Sequence, residues 1–110
     1  FKRVLKPSGH IIILTTSMEG YKGDWVSLSY DFPENKRQFD SGETVKLLIR
    51  GTNIILYDYY WTDQDYRDAF TKNHLRLIEL HNPIGYDEDK IQWLEESHKS
   101  PYSIYVVANT

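Results

Sequence analysis

The run His10-Ile11-Ile12-Ile13-Leu14-Thr15-Thr16 constrains this chain more than any other stretch. Four aliphatic residues follow one another without alternation, so a strand built from them turns apolar side chains to both of its faces. Strands of that kind belong mainly to parallel sheets covered by helices on each side. What precedes the run fits such a sheet. Phe1, Val4 and Leu5 give an apolar helical face, Lys2, Arg3 and Lys6 suit the negative end of a helix dipole, Pro7 stops the helix, and Ser8-Gly9 turns the chain. Helix, tight turn and two-sided strand read as the end of a βαβ crossover whose first strand lies upstream. The chain is therefore expected to be the back part of something larger.

Residues 17–44 are rich in turn formers (Gly20, Gly23, Pro33, Gly42), with one short alternating stretch at 25–30. Segments 45–50 and 54–61 flank Gly51-Thr52-Asn53 and predict a hairpin, whose second strand is apolar or aromatic on both faces. Thr62-Asp63-Gln64-Asp65 forms a capping box with Asp in place of the usual Glu. A helix follows to about Asn73, with Tyr66, Ala69 and Phe70 on one stripe. Residues 75–80 read as a strand. A second, short helix is expected after Asp87, with Ile91, Trp93 and Leu94 as its apolar side, and Ser100-Pro101 ends it. The closing strand, 102–108, is again apolar on both faces. Strand, inserted hairpin, helix, strand, helix, strand is the pattern of an α/β protein.

With 110 residues the chain is at most one domain. Its net charge of -3 and its dispersed Lys and Arg argue against a nucleic-acid surface, which needs basic residues gathered on one face. No apolar run approaches a membrane span, and no signal peptide is visible. The absence of cysteine excludes a disulfide scaffold and a thiolate zinc site, and fits the cytoplasm. His10, His74, His81 and His98 have no ligand spacing, so no metal is expected. Asp63, Asp65 and Asp68 read as a solvated helix start, not a calcium loop. Ser17, Ser27 and Ser97 lie in no nucleophile motif. Nine tyrosines and three tryptophans remain as the unusual feature, and aromatics at that density form a core, an interface or a pocket lining. The cluster at 57–61 is either a hairpin packed on its own domain or a pocket wall. Thr15, Thr16 and Ser17 either line a crevice at a strand end or simply end the strand.

At this point the segment RVLKPSGHIIILTT resembles the "L-K-P-G-G" element that closes a helix and opens a strand in class I S-adenosylmethionine-dependent methyltransferases. Leu5, Lys6, Pro7 and Gly9 match, and Ser8 stands for the first of the paired glycines. The segment YYWTDQDYRDAFTKNHLRLIELHNP is similar to the small-molecule branch of that family: Asp65-Tyr66 stands for "DY", His74-Leu75 for "GF" and Asn82-Pro83 for "EP". KSPYSIYVVANT resembles the closing strand. The resemblance implies the C-terminal half of a Rossmann-like methyltransferase sheet (its fifth, sixth and seventh strands), with two helices and a hairpin inserted at 18–61 on the substrate side. It implies S-adenosylmethionine as cofactor, bound mainly by an upstream glycine-rich loop absent here, and a small-molecule methyl acceptor. By the same resemblance Tyr59, Tyr60, Trp61, Thr15 and Thr16 are the acceptor-binding residues. No catalytic residue stands out; Asp58 is a candidate base, but alternation points it away from Tyr59. Such a portion is expected to be inactive alone. In the family's sheet, strand 10–16 lies between an upstream strand and the closing strand. Its other edge is then exposed here, and a homodimer through that edge is expected. The alternative is a non-catalytic binding or interaction module.

Overall fold

The computed structural model describes residues 5–109. The expected helix at 1–6 falls largely outside them; within them, Pro7-Ser8 form a turn closed by the Gly9 N–H donating to the Lys6 carbonyl at 2.8 Å. Two three-stranded antiparallel sheets follow. In the first, β1 (His10–Thr16) and β5 (Leu75–His81) flank β6 (Tyr102–Asn109), and both run antiparallel to it. In the second, β2 (Leu28–Ser29), β3 (Thr44–Ile49) and β4 (Ile55–Tyr59) lie in chain order. One α-helix, α1 (Asp63–Lys72), joins the second sheet back to the first.

The β3–β4 turn and both ends of α1 have local causes. Gly51, with φ 81°, supplies the left-handed residue that the β3–β4 turn requires. The Thr62 hydroxyl accepts the Asp65 N–H while the Asp65 carboxylate accepts the Thr62 N–H, so the capping box is complete with Asp at its third position. The helix ends through Asn73 into His74, whose φ of 56° reverses the chain into β5.

Packing separates two cores. Under the first sheet, Tyr105, Val107 and Phe70 are buried, with Ile11, Ile13, Leu75 and Leu77 against them, so α1 covers one sheet face. In the second body Tyr21, Trp25, Tyr30, Val45, Leu47 and Tyr60 form an aromatic-rich core.

The expectation of an α/β fold, the C-terminal half of a Rossmann-like sheet with two helices, is corrected by this arrangement. The described residues contain no parallel strand pair: β1 finds its neighbour in the antiparallel β6, with Ile12 opposite Val106 and Leu14 opposite Ile104. Nor is β1 covered on both faces, since Ile11 and Ile13 turn toward the core while Ile12 and Leu14 are 70% and 64% exposed. The unbroken aliphatic run encodes strand propensity without specifying which faces are buried. The second predicted helix is also absent. Asp89 Oδ2 accepts both the Tyr86 N–H and the Trp93 indole N–H, a side-chain-to-backbone alternative to helix formation. Only a 3-10 turn, Glu95–Ser97, occurs there. The segment is held instead by the buried Glu96, whose carboxylate takes the N–H groups of Val26 and Leu94.

Candidate functional site

The two sheets meet where the end of β1 reaches the start of α1 and the end of β4. Ser17 fixes the chain as it leaves β1: its hydroxyl donates to the Ser100 carbonyl at 2.6 Å and accepts the Gly20 N–H at 3.0 Å. One residue earlier, Thr16 faces the Tyr30 phenol, whose hydroxyl reaches Asp58 Oδ2 at 3.3 Å. Burial pushes that phenol up to about 12 against the opposing effect of Thr16, and the Asp58 charge adds to the rise. Thr15 points to the other side of the strand, where its Oγ1 lies 2.5 Å from the Tyr66 hydroxyl. The Tyr66 ring stacks on Tyr105 with centroids 5.3 Å apart.

The aromatic end of β4 is positioned by Tyr21. Its hydroxyl donates to the Tyr59 carbonyl at 2.9 Å and accepts the Trp61 N–H at 3.4 Å. Burial raises the Tyr21 phenol far above the ordinary tyrosine value, so it remains a neutral donor across the working pH range.

Two clefts flank the first turns of α1. One, of about 420 Å³, is lined by Trp61, Asp65, Tyr66 and Ala69. Hydrogen bonds from the Ser41 hydroxyl and the Thr62 N–H hold the Asp65 carboxyl below its usual range, so this cleft presents aromatic walls beside a carboxylate. The other, also about 420 Å³, lies between the ends of β1 and β5 and contains Met18, Leu80 and Ile84 with Glu19, Asp63, His98 and Lys99. The first cleft suits an apolar or cationic group. The second brings titratable groups of both signs to one wall.

The sequence-predicted residues divide between these surroundings. Thr15 and Trp61 are brought to opposite ends of the Tyr66 neighbourhood. Thr16 is turned to the second core, against Tyr30. Tyr60 is only 7% exposed, its ring packed between Tyr21 (5.0 Å) and Phe39 (5.3 Å), and lines neither of these two clefts. Tyr59 is 56% exposed on the outer strand of its sheet. Tyr66 and Asp65 were legible as a helix stripe, a cap and the "DY" of the resemblance, but not as site residues. The extra signal is that Tyr66 shares its stripe with the small Ala69, which leaves room beside the ring.

Among the described residues no group of His, Asp and Glu is placed to hold a metal ion. The glycines near β1 are packing positions: a Cβ on Gly20 would strike the Pro101 carbonyl oxygen, and one on Gly23 the Trp25 ring. No helix among the described residues is long and apolar enough to cross a membrane. Comparison with protein-family models, curated proteins and solved structures gives no match.

Proposed function

We propose that this chain is the acceptor-side portion of an S-adenosylmethionine-dependent methyltransferase acting on a small molecule, with the methyl donor held by residues outside the chain. One observation carries the reading. Thr15, at the end of β1, bonds the Tyr66 hydroxyl, and Tyr66 shares with Trp61 the wall of a cleft of about 420 Å³. The residues singled out by resemblance at two distant points of the sequence thus support a single aromatic recess.

The chemistry asked of such a recess is modest. Methyl transfer by in-line displacement depends mostly on holding two reactants aligned, and an aligned pair gains several kcal/mol in entropy over a collisional one. Trp61 and Tyr66 exclude water and favour a positively charged methyl-bearing centre. Asp65 is committed to the helix cap and Asp58 to Tyr30, so neither is free to serve as a general base. The acceptor then arrives as a nucleophile that needs no enzymatic deprotonation, or its proton leaves to a residue outside this chain.

The test is titration calorimetry with S-adenosylmethionine, using the entire natural polypeptide and the 110-residue chain side by side. The proposal expects binding by the former alone, and a natural polypeptide well above 13.1 kDa by mass spectrometry. A natural polypeptide that does not bind the donor, or one whose mass equals that of this chain, overturns it and leaves the non-catalytic module.

A further inference from the structure

The second sheet ends on β4, and the hydrogen-bond phase of that strand can be read directly. The Ile49 N–H donates to the Ile54 carbonyl at 3.1 Å and the Tyr60 N–H to the Glu43 carbonyl at 2.8 Å. Antiparallel alternation therefore turns the backbone of Ile54, Leu56, Asp58 and Tyr60 toward β3, and that of Ile55, Tyr57 and Tyr59 outward. Tyr59 is already satisfied. Its N–H donates to Asp58 Oδ1 at 2.8 Å, and its carbonyl accepts the Tyr21 hydroxyl at 2.9 Å. What remains on the outer edge is two N–H and two carbonyl groups, on Ile55 and Tyr57.

We infer that β4 pairs with β4 of a second copy of this chain, antiparallel, about a two-fold axis at Leu56. In that register Ile55 faces Tyr57 of the partner subunit and Tyr57 faces Ile55 of the partner subunit. Each such pair exchanges two hydrogen bonds, so every outward group of the two residues is used. The pairs also set a β-branched side chain against an aromatic one, a favourable cross-strand combination. Leu56 meets Leu56 of the partner subunit on the axis.

Charge permits this closure. Asp58 is the only charged residue in 54–61, and its two oxygens face Tyr59 N–H and the Tyr30 hydroxyl within its own copy. The strand carries none of the usual edge protection, having neither lysine nor proline. Area favours β4 over the edge of β1. Ile54, Ile55, Leu56, Tyr57 and Tyr59 are 50%, 40%, 46%, 63% and 56% exposed. At about 200 Å² per large side chain, two copies offer about 1,000 Å², the threshold for a specific interface. The exposed Ile12 and Leu14 of β1 offer about half of that on the same scale.

The pairing does not depend on catalysis, and its test does not either. In the whole protein, light scattering should find a dimer. The double variant Ile55→Lys, Tyr57→Lys, altering two exposed positions, should raise the dimer dissociation constant about tenfold or more by setting lysines against one another. The chain has no cysteine. Leu56→Cys should therefore give a reducible cross-linked dimer absent from the unsubstituted protein, since a non-hydrogen-bonded pair sets Cα atoms about 4.5 Å apart, within disulfide reach. Ile12→Cys on β1 should not. A monomer by light scattering, or cross-linking through Ile12→Cys and not Leu56→Cys, overturns the inference.

Discussion

The Tyr105 hydroxyl donates to Asp63 Oδ1 at 2.6 Å, tying the central strand β6 to the first residue of α1. The same carboxylate takes the Arg67 Nε at 2.6 Å from one turn further along the helix. Tyr105 is buried to 1% exposure and packs against both Tyr66 and Phe70. One side chain thus sets the rotation of α1 over its sheet, and with it the direction of Tyr66 toward Thr15.

Tyr105→Phe keeps the ring and removes that tie. Asp63 is 43% exposed at its side chain and can be rehydrated once the phenol is gone, so no buried acceptor is left stranded. The expected loss is about 1 kcal/mol, read from urea unfolding midpoints at constant slope. A loss several times larger would show that the hydroxyl anchors more than the helix.

Acid should weaken the same joint. Partial burial pushes the Asp63 carboxyl up, but the Tyr105 hydroxyl and the Arg67 guanidinium together outweigh it and hold the group below its ordinary 3.8. The unfolded chain then binds this proton at a higher pH than the folded one. Stability from Asp63 is complete above 3.8 and is lost as pH falls through the folded value. Asp63→Asn should flatten the acid limb of the unfolding free energy against pH, and an unchanged limb would remove Asp63 from the account.

At the other end of the pH scale Tyr30 governs. Its phenol titrates near 10.0 when unfolded and at about 12 in place, because burial and the Asp58 charge disfavour phenolate. Stability from this residue is complete below 10.0 and declines as pH rises toward 12. Tyr30→Phe should therefore lose less stability over that interval than the parent, and phenolate absorbance should show one late-titrating tyrosine fewer.

Some of this was legible in the sequence. The Tyr66/Ala69/Phe70 stripe, the Thr62 cap and the turn at Gly51-Thr52-Asn53 are local devices, and each acts within a few residues. The sheet pairing is a different matter. Ile11 to Leu14 carry no alternation, so nothing local states that Ile12 is exposed while Ile13 packs, or that the partner is the antiparallel β6, some ninety residues away. The segment after Asp87 has apolar residues at helical spacing, but Asp89 bonds Tyr86 and Trp93, and a side-chain competition of that kind is invisible to periodicity. At the candidate site, Trp61 was named only through the resemblance, because the residues alone left the cluster at 57–61 open between a packed hairpin and a pocket wall. Tyr66 was hidden, because a tyrosine on an apolar stripe reads as core, and here its ring serves both core and cleft.

Tyr60 and Trp61 are neighbours in sequence with opposite duties, and substitution separates them. Tyr60 is buried against Tyr21 and Phe39, so Tyr60→Ala removes a large aromatic from the second core and should cost about 3–5 kcal/mol. That is a large part of the total stability of a domain, about 5–15 kcal/mol, and the variant should unfold at far lower denaturant. Trp61 is 41% exposed and rests on Gly42, where little collapses when the indole is removed. Trp61→Ala should cost about 1 kcal/mol. If the proposed methyl transfer holds and Trp61 forms the acceptor wall, the same variant of the whole protein should raise KM for the acceptor about tenfold, with a smaller change in kcat. Unfolding midpoints and steady-state kinetics on the pair give the answer. A Trp61→Ala enzyme with unchanged KM would return the indole to a purely structural role and leave the recess without its wall.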